Sequence, residues 1–182
     1  MKKIVLSAFI FCLALTTVYG GSPEASIKVF VSKQRLFLYR NNELIKEYPI
    51  STSKFGIGNQ LGSNKTPLGK HRVARKIGDK AALNMIFKNR ASLGRLSAIN
   101  YLEKPSLDDR ITSRILRLEG LERGVNKGGR VDSFHREIYI HGTPDEGLIG
   151  RPASHGCIRM KNQDVVELFD AAEVGTLVTI YP

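Results

Sequence analysis

A cysteine and two histidines whose side chains could carry out nucleophilic chemistry lie close together near the end of the chain. Cys157 follows His141 by sixteen positions and His155 by two, in a stretch rich in glycine and small residues. A free thiol has a pKa of about 8.5 and is little ionised at neutral pH, so it needs a nearby imidazole to accept its proton. Gly156 lets backbone amides approach a reacting carbonyl without an intervening side chain. The pattern therefore predicts acyl transfer by Cys157, with a neighbouring imidazole as the base.

Two other interpretations of these residues stay open at this point. A single cysteine is often just a small buried apolar residue. Cys157 with His141 and His155 could also bind zinc, but no further ligand is obvious and the spacing is not that of common zinc motifs. The remaining histidines, His71 and His135, stand among charged residues and are predicted to lie on the surface. We therefore expect no metal and no cofactor.

The first twenty residues have the layout of a secretory signal peptide. Two lysines precede an apolar run over residues 4–15, and small residues follow up to position 20. The alternative is an uncleaved anchor, although the run is short for a transmembrane helix. Cleavage would remove Cys12 and leave Cys157 as the one thiol. An unpaired thiol in an exported protein indicates a reactive residue or intermolecular pairing.

Composition and charge narrow the class of protein. The 182 residues suffice for one domain, predicted over residues 21–182, and 42% hydrophobic residues exclude wholesale disorder. The 28 basic residues exceed the 17 acidic ones, and loss of two lysines with residues 1–20 changes the net charge from +11 to +9. Because the basic residues are spread along the chain, nucleic acid is a poor candidate partner, whereas an anionic cell-wall polymer suits an exported basic protein.

The hydrophobic pattern predicts a mainly β fold. Alternating apolar residues over 25–53 predict three antiparallel strands in a meander, with Asn41–Asn42 as a turn. A loop rich in glycine, serine and proline follows over 53–69. Further strands are predicted at residues 70–75, 111–118, 137–141 and 177–180.

One helix is predicted after the cysteine. Asn162 is expected to cap it and Gly175 to end it. Cys157 would then lie near the helix N-terminus, where the helix dipole favours a thiolate. The predicted apolar face comprises Val165, Leu168, Phe169 and Ala172.

Residues 76–110 show no clear period, and a short helix is predicted at residues 81–88. A long aperiodic stretch in a compact domain is often functional. We therefore expect part of residues 76–130 to form a lid over Cys157.

The string HGTP…GRPASHGCIRM resembles the signature of the L,D-transpeptidase catalytic domain, in which a histidine precedes Ser-His-Gly-Cys and an arginine follows two places later. Every one of these positions is present here. The Ser51–Ser53 strand end and residues 65–69 also resemble this family, so the likeness extends over most of residues 25–182. It is vaguest over residues 76–130.

The resemblance implies roles for individual residues and a β-sandwich or meander with one helix beside the cysteine loop. Cys157 would attack the amide between the diamino acid and the terminal D-Ala of a peptidoglycan tetrapeptide stem. His141 would be the general acid and base, with a backbone carbonyl as its partner. The remaining site residues form two implied groups. Ser154, His155 and Gly156 would form or shape the oxyanion hole. Gly142 and Thr143 would bind substrate, and Arg159 would ground the loop or hold a substrate carboxylate.

The acceptor of the acyl group stays open. An amine of a second stem would give a 3→3 crosslink, water would give carboxypeptidase activity, and a wall-attached protein would become anchored. Other classes fit less well: papain-like wall hydrolases place cysteine before histidine, and sortases place their histidine much further upstream. A catalytically inert wall-binding module is the non-enzymatic alternative. The predicted signal peptide implies that the protein lies in the periplasm or cell-wall space. It also implies that the protein contacts the membrane only through that segment.

Overall fold

The computed structural model describes residues 25–182, so the predicted signal peptide lies outside the described residues. Ten strands, two short 3₁₀ turns and one helix follow one another along this part of the chain. The strands are β1 (Ala25–Phe30), β2 (Arg35–Arg40), β3 (Glu43–Ser51), β4 (Gly69–Ile77), β5 (Met85–Lys88), β6 (Ala91–Leu96), β7 (Ile111–Gly120), β8 (Tyr139–Gly142), β9 (Ile158–Met160) and β10 (Leu177–Tyr181). The 3₁₀ turns are Gly129–Val131 and Glu146–Leu148, and the helix α1 is Asn162–Ala171.

All ten strands belong to one sheet that curls back on itself. Its order is β4-β10-β1-β2-β3-β9-β8-β7-β5-β6, and β4 also pairs with β7. This second pairing closes eight strands into a ring, with β5 and β6 as an extension beyond β7. The pairs β1–β10 and β8–β9 are parallel and the others are antiparallel. The predicted mainly β class is confirmed.

The first three strands form the predicted meander. β2 pairs with β1 on one side and β3 on the other, both antiparallel. Asn41 and Asn42 have φ of 50° and 66°, the left-handed conformation that asparagine tolerates in a tight turn. Leu36 and Leu38 point into the core, as their alternation predicts.

The helix α1 packs its predicted apolar face against β7 and β8. Val165, Leu168 and Phe169 are buried in the same core cluster as the apolar side chains of the ring strands, because the spacing of three and four residues places them on one side of the helix. No helix within residues 25–182 is long and apolar enough to cross a bilayer.

Both predicted ends of α1 are wrong. Lys161 occupies the N-cap position and Asn162 is already helical. The carboxylate of Glu146 accepts the Asn162 N–H at 2.8 Å, so a side chain from an earlier turn satisfies this helix-end donor. The helix ends at Ala171, while Gly175, with φ of 99°, lies in the turn before β10.

Residues 81–88 are not helical, contrary to expectation. Met85–Lys88 is the strand β5, in which Ile86 and Phe87 are buried. Ile86 pairs with Thr112 of β7, a partner distant in sequence. β7 itself lies within the closed ring. Of the stretch predicted to contain a lid, residues 97–110 connect β6 to β7 and are here called the covering segment.

His71 is fully buried, so its predicted surface location is wrong. Its Nδ1 lies 3.0 Å from Gly69 O and its Nε2 lies 2.9 Å from Ser133 Oγ. Burial lowers the pKa of His71 to about 4, so the ring is neutral at pH 7. His135 is 80% exposed at its side chain, as predicted.

Candidate active site

Strands β8 and β9 place the predicted catalytic side chains on one face of the sheet. His141 is in register with Arg159, and Ile140 with Ile158. Because side chains alternate along a strand, Cys157 shares a face with His141 and Arg159, opposite the two buried isoleucines. From strand spacing and rise, the Cα atoms of Cys157 and His141 are about 8 Å apart, a distance that two inward-leaning side chains can close.

His141 is held as a neutral imidazole. Its side chain is buried, and Nδ1 lies 2.8 Å from the carbonyl oxygen of Gly142. That oxygen can only accept, so Nδ1 carries the proton and Nε2 presents a lone pair. Burial lowers the pKa of His141 to about 4, against the opposing effects of the Gly142 hydrogen bond and the negative charge of Asp109. A carbonyl partner is what the family resemblance implies for this histidine.

Cys157 is half-buried at the rim of the sheet, with a neutral thiol. Its Sγ donates to the carbonyl oxygen of Glu137 at 3.4 Å, so a carbonyl rather than the imidazole holds the thiol proton in this conformation. Burial raises the pKa of Cys157 to about 12, although a hydrogen bond from the Tyr139 backbone and the positive charge of Arg159 oppose this. The sulfur is not sealed in the core.

The expected helix N-terminus beside Cys157 is absent. Strand β9 intervenes between Cys157 and α1, so the helix begins beyond the far end of that strand. A helix dipole acts within about the first turn, which leaves it no role at the thiol.

The loop of residues 154–157, the cysteine loop, is held by hydrogen bonds on its inner side. Ser154 Oγ donates to Cys157 O at 2.6 Å and accepts the Gly156 N–H at 3.2 Å. Thr66 Oγ1 donates to Gly156 O at 3.1 Å. Gly156 has φ of 124°, a conformation that a side chain would strain. Sequence reasoning had included Thr66 only within the resemblance of residues 65–69.

His155 and Arg159 meet at a carboxylate that sequence reasoning missed. Asp109 Oδ2 lies 2.8 Å from His155 Nδ1 and 2.5 Å from Arg159 Nη2. The guanidinium of Arg159 is almost fully buried, so this ion pair occupies the group that was expected to hold a substrate carboxylate. The one signal in the sequence is the pair Asp108–Asp109, which indicates only irregular structure there.

Gly142 and Thr143 are buried behind His141. A Cβ on Gly142 would come within 2.6 Å of Thr112 O. Thr143 donates its N–H to Met160 O at 3.2 Å, and its carbonyl accepts from Asn162 Nδ2 at 2.8 Å. Asn162, which was expected only to cap the helix, thus links α1 to the residues that follow His141.

Asp109 lines three cavities, of about 430, 380 and 220 Å³. Within residues 25–182 no group of three or more His, Cys, Asp or Glu side chains is arranged to hold a metal ion.

The cavity of about 220 Å³ is lined by Phe87, Lys88, Asn89, Arg90, Asp109, Ile111, Glu137 and Tyr139. The cavity of about 380 Å³ is lined by Lys54, Pro105, Ser106, Leu107, Asp109, Asp145, Leu148, Pro152, Ala153, His155 and Arg159.

Solved structures of known proteins share this fold. An L,D-transpeptidase from Mycobacterium smegmatis is 17% identical with a TM-score of 0.52, covering 88% of this chain and 59% of its own. L,D-transpeptidase 3 from Mycobacterium tuberculosis, solved in complex with a faropenem-derived adduct, is 16% identical with a TM-score of 0.55, covering 88% of this chain and 61% of its own.

Curated relatives match parts of the sequence more closely. The putative L,D-transpeptidase YkuD of Bacillus subtilis is 54% identical over 65 residues, or 33% of this chain and 40% of that protein. The probable L,D-transpeptidase YcfS of Escherichia coli is 26% identical over 173 residues, or 94% of this chain and 48% of that protein. The matches thus span less than half the length of these relatives. Since the model of the YkuD family, the L,D-transpeptidase catalytic domain, matches residues 24–180, the chain belongs to that family.

Proposed function

We propose that the protein is an exported L,D-transpeptidase that acts on peptidoglycan stem peptides. The observation that carries this proposal is that a buried neutral imidazole, His141 of β8, and a half-buried thiol, Cys157, immediately before the neighbouring parallel strand β9, lie on the same side of the sheet. Family membership supports the reaction class. The excess of basic over acidic residues suits an anionic wall polymer.

In the first step, Cys157 Sγ attacks the carbonyl carbon of the amide between the diamino acid and the terminal D-Ala. Because thiol and imidazole are both neutral at rest, the proton passes to His141 Nε2 as the sulfur–carbon bond forms. This requires the thiol to turn from Glu137 O towards the imidazole, a change of side-chain rotamer. His141 then gives the proton to the leaving amine, D-Ala departs, and a thioester remains.

The negative charge that develops on the carbonyl oxygen needs backbone donors. The Gly156 N–H already donates to Ser154 Oγ, so we assign the main oxyanion donor to the amide of Cys157. A donor of this kind contributes about 3–4 kcal/mol to the lowering of the barrier. Gly142 and Thr143 are both buried next to His141 in the chain, so we assign them the role of positioning His141. Contact with substrate is not part of that role.

In the second step, the amine of another stem attacks the thioester carbonyl and gives a proton to His141. The carbon–sulfur bond then breaks, His141 returns the proton to Cys157 Sγ, and a 3→3 crosslink is formed. Water in place of the amine would release a tripeptide, and a lysine of a wall protein would become attached instead. We propose that the covering segment, residues 97–110, is a lid that limits the access of water, because Asp109 closes against His155 and Arg159.

Incubation with a disaccharide-tetrapeptide, followed by mass spectrometry, tests the proposal. Loss of D-Ala together with a dimer supports crosslinking, and tripeptide alone supports carboxypeptidase action. Cys157→Ala should abolish both products and His141→Ala should nearly do so. His135→Ala is the matched control, since that imidazole is exposed and should leave the rate unchanged. Faropenem, from which the M. tuberculosis adduct derives, should add covalently to Cys157.

Two results would overturn these roles. Full activity of Cys157→Ala would remove the nucleophile from the scheme. Binding of peptidoglycan without release of D-Ala, and without a faropenem adduct, would indicate the inert wall-binding module instead.

A further inference from the structure

The covering segment is firmly attached near the site before it reaches Asp109. Asn100 donates its N–H to Pro144 O at 2.8 Å, and the Ser106 N–H lies 3.0 Å from an oxygen of Asp145. Asp145 is itself buried. The segment therefore presents Asp109 from a fixed base, which is what a group that orients its neighbours requires.

We infer that Asp109 is a positioning residue for the attack of Cys157: its carboxylate anchors the outer side of the cysteine loop through His155 and holds Arg159 beside His141. This inference rests on the proposed function of the same site.

The first line of support is the way in which the cysteine loop is held. Ser154 and Thr66 bind its backbone from the inner side. On the outer side, the His155 ring is half exposed, and its contacts are the Asp109 carboxylate at 2.8 Å and the Phe55 ring, with 5.7 Å between centroids. Asp109 thus supplies the charged, directional contact on that side of the loop that carries the oxyanion amides.

The second line of support is the buried charge of Arg159. Its side chain is 3% exposed, its Nε has no hydrogen-bond partner within the described part of the chain, and its Nη2 pairs with Asp109. A buried guanidinium without a counter-charge is strongly unfavourable, so loss of the carboxylate would shift Arg159 or admit water. Arg159 is in register with His141, and a shift there would alter the site.

The test compares two reactions of Cys157 in Asp109→Asn. Acylation by faropenem needs the oxyanion donors, and the first-order acylation step should slow by at least about tenfold, because displaced donors cost one to three orders of magnitude. Alkylation by iodoacetamide needs only the thiolate. It should stay equal or rise, since Asp109 raises the pKa of Cys157 and its neutralisation favours ionisation.

Asp108→Asn is the matched control. Asp108 is the neighbouring carboxylate in the same segment, pairs with Arg110 at 2.7 Å, and is 66% exposed at its side chain. In Asp108→Asn, the rates of acylation by faropenem and of alkylation by iodoacetamide should both stay within about twofold of those of the native protein. Acylation of Asp109→Asn at the native rate, or a parallel fall in acylation and alkylation, would overturn the inference. Failure of native protein to react with faropenem would instead count against the proposed function.

If Asp109→Asn does not fold, as judged by circular dichroism, native protein decides the question by ¹⁵N–¹H NMR. A carboxylate at 2.8 Å accepts a proton from His155 Nδ1, so neutral His155 should be the Nδ1–H tautomer. The Nε2–H tautomer would show that Asp109 does not hold this ring.

Discussion

The resting thiol of Cys157 should react slowly with simple electrophiles, and this is the sharpest consequence of the site's geometry. Burial raises the pKa of Cys157 to about 12, roughly three units above that of an exposed cysteine. The pair of Cys157 and His141 is therefore neutral before substrate binds, unlike a preformed thiolate–imidazolium pair. Reactivity is expected to appear only when an acyl donor fills the site.

The magnitude follows from the pKa. A rise of three pKa units lowers the thiolate fraction at pH 7 by about 1,000-fold. A more basic thiolate is also a better nucleophile, and a Brønsted coefficient of about 0.45 returns a factor of about 20. Iodoacetamide should therefore alkylate Cys157 in the native protein about 50-fold more slowly than an unperturbed thiol, and the partial burial of the sulfur slows it further.

The assay compares native protein with protein unfolded in urea, which exposes the same cysteine. Both are treated with iodoacetamide at pH 7, quenched at intervals and digested, and the peptide that contains Cys157 is quantified by mass spectrometry. In native protein the rate should keep rising by about tenfold per pH unit between pH 7 and 10, whereas the unfolded protein should level off near pH 9.

Two outcomes would refute the reasoning. Native and unfolded protein could react at equal rates at pH 7, or thiolate absorbance at 240 nm could show a midpoint below pH 8 in native protein. Either would mean that His141 and the surrounding charges outweigh burial at the sulfur.

Three further predictions concern stability. Asn162→Ala removes the buried oxygen that accepts hydrogen bonds from the hydroxyls of Thr112 and Ser113. The free energy of unfolding measured in urea should therefore fall by about 3–5 kcal/mol, and a fall of less than about 1 kcal/mol would show that water replaces the amide. His71 has a pKa lowered by burial, so its contribution is complete above about pH 6.5 and is lost as the pH falls towards about 4, by about 3 kcal/mol in all. His71→Gln should reduce the slope of the urea midpoint in that pH range without abolishing it, because the pKa of His141 is also lowered to about 4, and an unchanged slope would contradict the assignment. Leu168→Ala should cost about 2–5 kcal/mol by the same measurement, since the side chain is fully buried, and a cost near zero would mean that the helix is not packed as described.

Local patterns were sufficient for the elements that repeat a simple period. The meander of β1 to β3 and the apolar face of α1 follow from side-chain alternation and helical spacing, which reflect contacts between near neighbours. The asparagine turn follows from the left-handed conformation that Asn41 and Asn42 tolerate. Strand β5 could not be predicted from the local pattern, because its conformation is stabilised by pairing with β7, more than twenty residues away along the chain.

The sequence alone determined which residues can do the chemistry: a thiol at Cys157, an imidazole at His141 and a flexible Gly156, since reactivity is a property of residue type. Only the tertiary structure decided the state of those groups. Burial sets the pKa values, and the parallel register of β8 and β9 places the two side chains on one face. The contact of Asp109 with His155 and Arg159 likewise depends on how a distant segment folds over the sheet, because charges and desolvation act through space and not along the chain.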